Sequence, residues 1–260
     1  MSLEPKKSAL ITVPADFDDV SLRGFFDELD LAMADRPPEI AIDCSLLAHA
    51  TSRHINALWD ALTRCQREGI PMRLTEVGYG LRRVLSVLDL AELFAVEYDR
   101  GGEKGEVGAP KEAGACDRFE ADLEATIDSV AEVMVQLRAF LERYDLDEIG
   151  IFDLETVFYE VATNICRHSG LDEHRKIRFA ADLRGDEISL EFTDAGARFD
   201  PTGNTPEFDP RRAITRRQSR GIGLVMIQRL MDAISYKRED HKYNVVTLRK
   251  RLAPRVEVVE

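Results

Sequence analysis

Residues 153–168 read DLETVFYEVATNICRH, and this stretch decides the fold of the second half of the chain. Val157, Phe158, Val161, Ala162, Ile165 and Cys166 recur at helical spacing and form one apolar stripe. Such a stripe faces a core. Glu160, Asn164 and His168 form a second row, each four residues from the next. A helix stacks such residues on one face, about 6 Å apart per step. The polar row borders the stripe, so Glu160 lies at the edge of a buried region, where desolvation raises the basicity of a carboxylate. Asn164, one turn on, offers an amide oxygen to a hydrated Mg2+. Taken alone, the same pattern also describes a helix with ordinary polar flanks.

Two stretches downstream narrow the reading. Residues 192–200 read FTDAGARFD, in which an apolar strand over 188–192 runs into Asp194 and then Gly196. Residues 220–236 read RGIGLVMIQRLMDAISY, in which Gly221 and Gly223 open an amphipathic helix. The segment between them, 197–220, is long and contains Pro and Gly, with Arg211, Arg212, Arg216, Arg217 and Arg220 near its end. Long loops without regular structure are functional or disordered.

Together these boxes resemble the ATP-binding boxes of the GHKL (histidine kinase-like ATPase) superfamily. The likeness is greatest to the anti-sigma factor serine/threonine kinases of bacterial partner switching. The E-x-x-x-N-x-x-x-H helix matches at Glu160, Asn164 and His168, the D-x-G turn at Asp194 and Gly196, and the G-x-G-L box at Gly221, Gly223 and Leu224. The resemblance covers about residues 117–252 and implies a Bergerat-type α/β sandwich that binds ATP and Mg2+. It implies that Asp194 accepts a hydrogen bond from the adenine amino group, with Thr247 near the base. Gly221 and Gly223 would let backbone approach the phosphates at a helix N-terminus. The 197–220 segment corresponds to the ATP lid, with Arg220 the foremost candidate to pair with phosphate oxygens. Asn164 would hold Mg2+ and Glu160 would take the proton of an attacking Ser or Thr hydroxyl. His168 is assigned to the cofactor site, with a hydrogen-bonded core histidine as its alternative.

The first half alternates strand and helix: strands over 8–14, 39–44, 72–76 and 93–98, and helices over 17–34, 54–68 and 80–88. That order predicts a small α/β domain. It resembles a STAS domain, the fold of anti-sigma factor antagonists, through Ile40-Ala41-Ile42-Asp43 and the stretch 78–96. The phosphorylation loop of that family, Asp-Ser-Ser/Thr-Gly, is replaced by Thr51-Ser52-Arg53-His54. Ser52 is thus either a phosphoacceptor or the N-cap of the following helix. Residues 100–115, RGGEKGEVGAPKEAGA, read as a flexible linker. The chain therefore divides into a STAS-like domain at 1–99, the linker at 100–115 and an ATP-binding kinase domain at 116–260. In the latter, strands are predicted over 119–126, 175–183, 187–193 and 243–251, with a helix over 127–144.

Composition sets the remaining bounds. Hydrophobic residues make up 44% of 260, and the formal net charge is −13, which argues against general nucleic-acid affinity. No apolar run has the length of a membrane span, and residues 1–13, MSLEPKKSALITV, carry no secretory apolar core. Cys44, Cys65, Cys116 and Cys166 have no metal or redox spacing, in keeping with a cytoplasmic chain.

Two functions follow. One is an ATP-dependent protein serine/threonine kinase and anti-sigma factor, with a sigma factor and a STAS-type antagonist as partners; homodimerisation is left open. The other is a non-catalytic, ATP-gated binding module regulated by its fused STAS-like domain. A sensor histidine kinase fits poorly, because no histidine lies between His54 and His168 to serve as phosphoacceptor.

Overall fold

A computed structural model describes residues 8–15, 18–47, 49–94, 96, 117–144, 146–168, 170, 175–198, 200–202 and 221–252. They fall into two compact units, one of Met1–Gly102 and Glu207–Ile222 and one of Glu103–Pro206 and Gly223–Glu260. The expected linker and both of its boundaries lie outside the described residues.

In the first unit, β1 (Ala9–Thr12), β2 (Ile40–Asp43) and β3 (Met72–Thr75) form a parallel sheet in the order β1-β2-β3. Parallel neighbours require crossovers, which α1 (Asp19–Ala34) and α2 (Ser52–Arg67) supply; α3 (Tyr79–Val87) follows β3. The central strand reads IAID, and Ile40, Ala41 and Ile42 are all buried. A strand covered on both faces has this continuous apolar character. Helix α1 starts at Asp18, whose carboxylate accepts the Ser21 N–H at 2.6 Å and is held below the usual carboxylate range by that bond. The strand expected over 93–98 does not begin there. Leu93 and Phe94 form a turn, both donating their N–H to the Leu90 carbonyl, and Phe94 is buried; residues 95, 97 and 98 lie outside the described set.

The second unit contains β4 (Asp117–Glu124), α4 (Ile127–Leu141), α5 (Glu148–His168), β5 (Lys176–Arg184), β6 (Glu187–Asp194), α6 (Ile222–Leu230), β7 (Ala233–Glu239) and β8 (Tyr243–Arg251). The sheet is antiparallel throughout, in the order β4-β5-β6-β8-β7. Strand β6 alternates half-buried and buried residues along its length, the period-2 signature of a sheet with one covered face. Phe158 of α5 packs against Phe179 and Phe192 of that face, with ring centroids 4.8 and 5.7 Å away. Such rings contribute about 0.5–1.5 kcal/mol per pair beyond their buried area. The helix expected from Gly221 towards Tyr236 ends at Leu230, and β7 takes up residues 233–239. Among the described residues, no helix is long and apolar enough to cross a membrane.

The described thiols do not form a reactive pair. Cys44, Cys65 and Cys166 are free. Burial pushes the Cys44 thiol up to about 12 and the Cys65 thiol up to about 11, which leaves them as unreactive packing groups.

Candidate nucleotide site

Helix α5 presents the first group of site residues. Asp147 accepts the Gly150 N–H at 2.7 Å and so occupies one of the donors orphaned at the helix start. Val157, Phe158, Val161, Ala162 and Ile165 are buried, as their spacing requires. The polar row next to them is graded in depth. Glu160 is 2% exposed, Asn164 is half-buried and His168 is exposed. Asn164 and His168 line a cleft, and Glu160, one turn earlier, is not among its lining residues.

Strand β6 delivers the second group. Its parity puts Ile188, Leu190, Phe192 and Asp194 on the covered face. Asp194, 4% exposed, thus projects a carboxylate from the end of an apolar row. Its Oδ1 accepts the Gly196 N–H at 2.7 Å and the Asn244 Nδ2–H at 3.0 Å. Asp194 and Asn244 are direct partners in the β6–β8 register. The cleft is walled by Val161 and Ile165 of α5, Ile227 of α6, and Val246 and Leu248 of β8, with Asp194, Ala197 and Pro201 at its other side. Apolar walls with a few convergent polar groups are the usual character of a small-molecule site. Such walls and a buried carboxylate acceptor have the chemistry that a flat heterocycle with an exocyclic amine would call for.

Helix α6 opens with the glycine box. Gly221 is exposed with φ +95°, a left-handed conformation that side chains rarely adopt. Gly223 is buried and Leu224 half-buried in the first turn, where free N–H groups favour anions. None of the three lines the cleft, although α6 contributes Ile227 to it. Arg220, Arg211, Arg212, Arg216 and Arg217 lie outside the described residues.

One expected residue is misplaced. Thr247 lies between Val246 and Leu248, so the pleat turns it to the opposite, polar face of the sheet. There its hydroxyl donates to Glu191 at 3.4 Å, and it takes no part in the cleft. The β8 residue that meets Asp194 is Asn244, which sequence reading passed over. The available signal was an Asn, a poor strand former, within an otherwise β-prone run, YNVVTLRKR.

No group of three or more His, Cys, Asp or Glu suited to a metal ion occurs among the described residues. Asn164 brings to the cleft an amide oxygen, a donor that suits Mg2+ shared with phosphates better than an all-protein cage.

In the first unit, Ser52 is the first residue of α2 and not its cap. Thr51 caps the helix, accepting the His54 N–H at 3.5 Å, while His54 Nδ1 accepts the Thr51 N–H at 3.1 Å. This closed capping box replaces the expected N-cap at Ser52. His54 is 5% exposed, and its Nε2 lies 3.1 Å from the Ala15 carbonyl. Since Nδ1 accepts from a backbone N–H, Nε2 carries the proton.

Residues 123–250 match the family described as "Histidine kinase-like ATPase domain". Comparison with curated proteins found no match. Among solved structures, the chain is similar to the RsbU and RsbW domains of Rv1364c from Mycobacterium tuberculosis, at 22% identity and a TM-score of 0.42 over 55% of this chain and 35% of that one. It is also similar to the SiaB-SiaC complex from Pseudomonas aeruginosa, at 20% identity and a TM-score of 0.39 over 52% of this chain and 89% of that one. The chain thus spans about a third of the length of the first of these structures.

Proposed function

Given a histidine kinase-like ATPase domain at residues 123–250, we propose that the chain is an ATP-dependent protein serine/threonine kinase acting in partner switching. The observation that carries this reading is the convergence of Asp194 and Asn164 on one apolar cleft, with Glu160 one turn from Asn164 on α5. Asp194 receives the adenine amino group, and the aliphatic walls take the base. The Asn164 amide oxygen would hold Mg2+, which would supply charge neutralisation at the phosphates. The N-terminus of α6, with Gly221 and Gly223, offers backbone N–H groups to the same oxygens. Phosphoryl transfer depends chiefly on such positioning and charge stabilisation. Glu160 accepts the proton of the attacking hydroxyl. Arg220 is the proposed phosphate-pairing side chain beside that helix start, and Thr247, on the opposite face of the sheet, is left out.

The first unit is read as a STAS-like domain, on its alternating βα order and parallel sheet. A STAS-type antagonist is the proposed substrate and a sigma factor the proposed second partner. The test is incubation of the whole chain with labelled ATP and Mg2+, alone and with candidate STAS proteins, followed by intact-mass analysis. Phosphate on a Ser or Thr of the added protein is the expected result; nucleotide binding without transfer to any of them would overturn the kinase.

One observation favours a second reading, an ATP-gated binding module without transfer. Glu160 is 2% exposed, and a base must reach the proton that it abstracts. The kinase therefore requires the buried Glu160 to become accessible to the incoming hydroxyl.

A further inference from the structure

Asn244 stands at the centre of a buried polar network whose other members have fixed hydrogen-bonding roles. It is 2% exposed. Its Oδ1 accepts from the Tyr236 hydroxyl at 2.9 Å and the Arg238 Nη1 at 2.6 Å. Its Nδ2 donates to Asp194 Oδ1 at 3.0 Å, to the Ala197 carbonyl at 2.9 Å and, at 3.4 Å, to the Gly196 carbonyl. A guanidinium can only donate, and carbonyls can only accept. The amide therefore has one satisfactory orientation, with oxygen towards β7 and nitrogen towards the turn after β6. No other residue of this size supplies both an acceptor for Arg238 and two donors for the turn.

The consequence falls on Asp194. Oδ1 is occupied by Asn244 and by the Gly196 N–H. Rotating the carboxylate would break both bonds, so the direction of Oδ2 is set as well. Both bonds end on the same oxygen, and the side chain borders the cleft. We infer that Asn244 is a positioning residue that sets the base preference of the site: by holding Asp194 Oδ1, it presents Oδ2 as an acceptor to the exocyclic amine of a 6-aminopurine. Tyr236 and Arg238 act behind it by fixing the amide. This inference rests on the proposed nucleotide site.

The test compares two nucleotides that differ only at the amine, ATP and purine riboside triphosphate, by calorimetry on the whole chain. The unaltered protein should bind ATP about tenfold more tightly, the scale of one hydrogen bond to a charged group. Asn244→Ala should lose most of that preference, through an ATP affinity reduced about tenfold and an analogue affinity changed less than about twofold. Tyr236→Phe removes one bond behind the amide and leaves the sheet residues otherwise intact. It should show the same selective loss at about threefold, and it carries the test if Asn244→Ala does not fold. A purely structural role would lower both affinities together. Equal losses for the two nucleotides in folded variants, or no loss in either, would overturn the inference and leave the nucleotide site standing. Failure of the unaltered chain to bind ATP, or to prefer it, would instead overturn the nucleotide site itself, and the inference with it.

Discussion

The two units differ in how they treat buried polarity. The first keeps a parallel sheet whose central strand is apolar on both faces, and His54 is its one buried polar side chain among the described residues. That histidine closes a helix cap and has both ring nitrogens bonded. In the second unit Asp153, Glu155, Thr156, Glu160 and Thr163 are all buried on α5, with Asp194 and Asn244 on the sheet. Buried charge is costly unless paired. Two of the carboxylates have evident counter-ions: Lys250 lies 3.2 Å from Asp153, and Arg138 lies 2.9 Å from Glu155. Glu160, Asp194 and Asn244 belong instead to the neighbourhood of the cleft. The first unit is built as a packed scaffold, and the second keeps a polar interior beside its cleft.

The sharpest way to break this contrast is Glu160→Gln, which keeps shape and removes proton acceptance. If α5 carries a base, transfer should fall by roughly 10²–10⁴-fold with Mg-ATP binding nearly intact, read by phosphate incorporation beside calorimetry. Asn164→Ala should lose both. Unaltered transfer in Glu160→Gln would leave the binding module as the better reading.

A comparable effect on stability is expected from Lys250→Met, which removes the ammonium 3.2 Å from Asp153, 1% exposed. Breaking one side of a buried pair costs about 3–5 kcal/mol, visible as a lower urea midpoint. The double variant Asp153→Leu/Lys250→Met should recover much of it; no recovery would show that the loss does not come from the Asp153 charge.

Next is Asp194→Asn, which exchanges a carboxylate for an amide in the cleft. ATP affinity should weaken by about 1.5–3 kcal/mol, the worth of a hydrogen bond to a charged group. Unchanged affinity in a folded variant would remove Asp194 from the base site.

The smallest effects belong to the first unit. Thr51→Ala removes the cap of α2 and should cost about 1 kcal/mol in thermal or urea unfolding, with no change in ATP binding. In the same unit Ser52 should stay unmodified after incubation with Mg-ATP, because the loop has lost the acid and glycine of the phosphorylation motif. Stoichiometric phosphate abolished by Ser52→Ala would make this scaffold a switch.

Much of this architecture is legible in the sequence. The period-3.6 stripe of α5 and the alternation of β6 each place their residues on the face the structure shows. The β8 bounds, Tyr243–Arg251, are those expected from its β-branched run. Strand β7 is not legible, because it follows α6 after only two residues, and its SYKRE end alternates half-buried and exposed positions without a marked apolar row. Thr247 is misread for a different reason. Side chains on a strand change face at every residue, so choosing the Thr over its neighbours selects the wrong side of the sheet. The Asp194–Asn244 bond depends on a register joining residues 50 apart, which no local pattern encodes.

Lys250 does more than neutralise Asp153: it also donates to the Leu230 carbonyl at 2.8 Å. The last turn of α6 is thereby pinned to β8 and, through the same ammonium, to α5. The opposite end of α6 begins just after Gly221, a residue without a side chain to stiffen it. A nine-residue helix is about 13 Å long. A tilt of about 5° about that pin would carry its first N–H groups through about 1 Å. Lys250 thus sets the angle at which the glycine box is offered, from the far end of the helix.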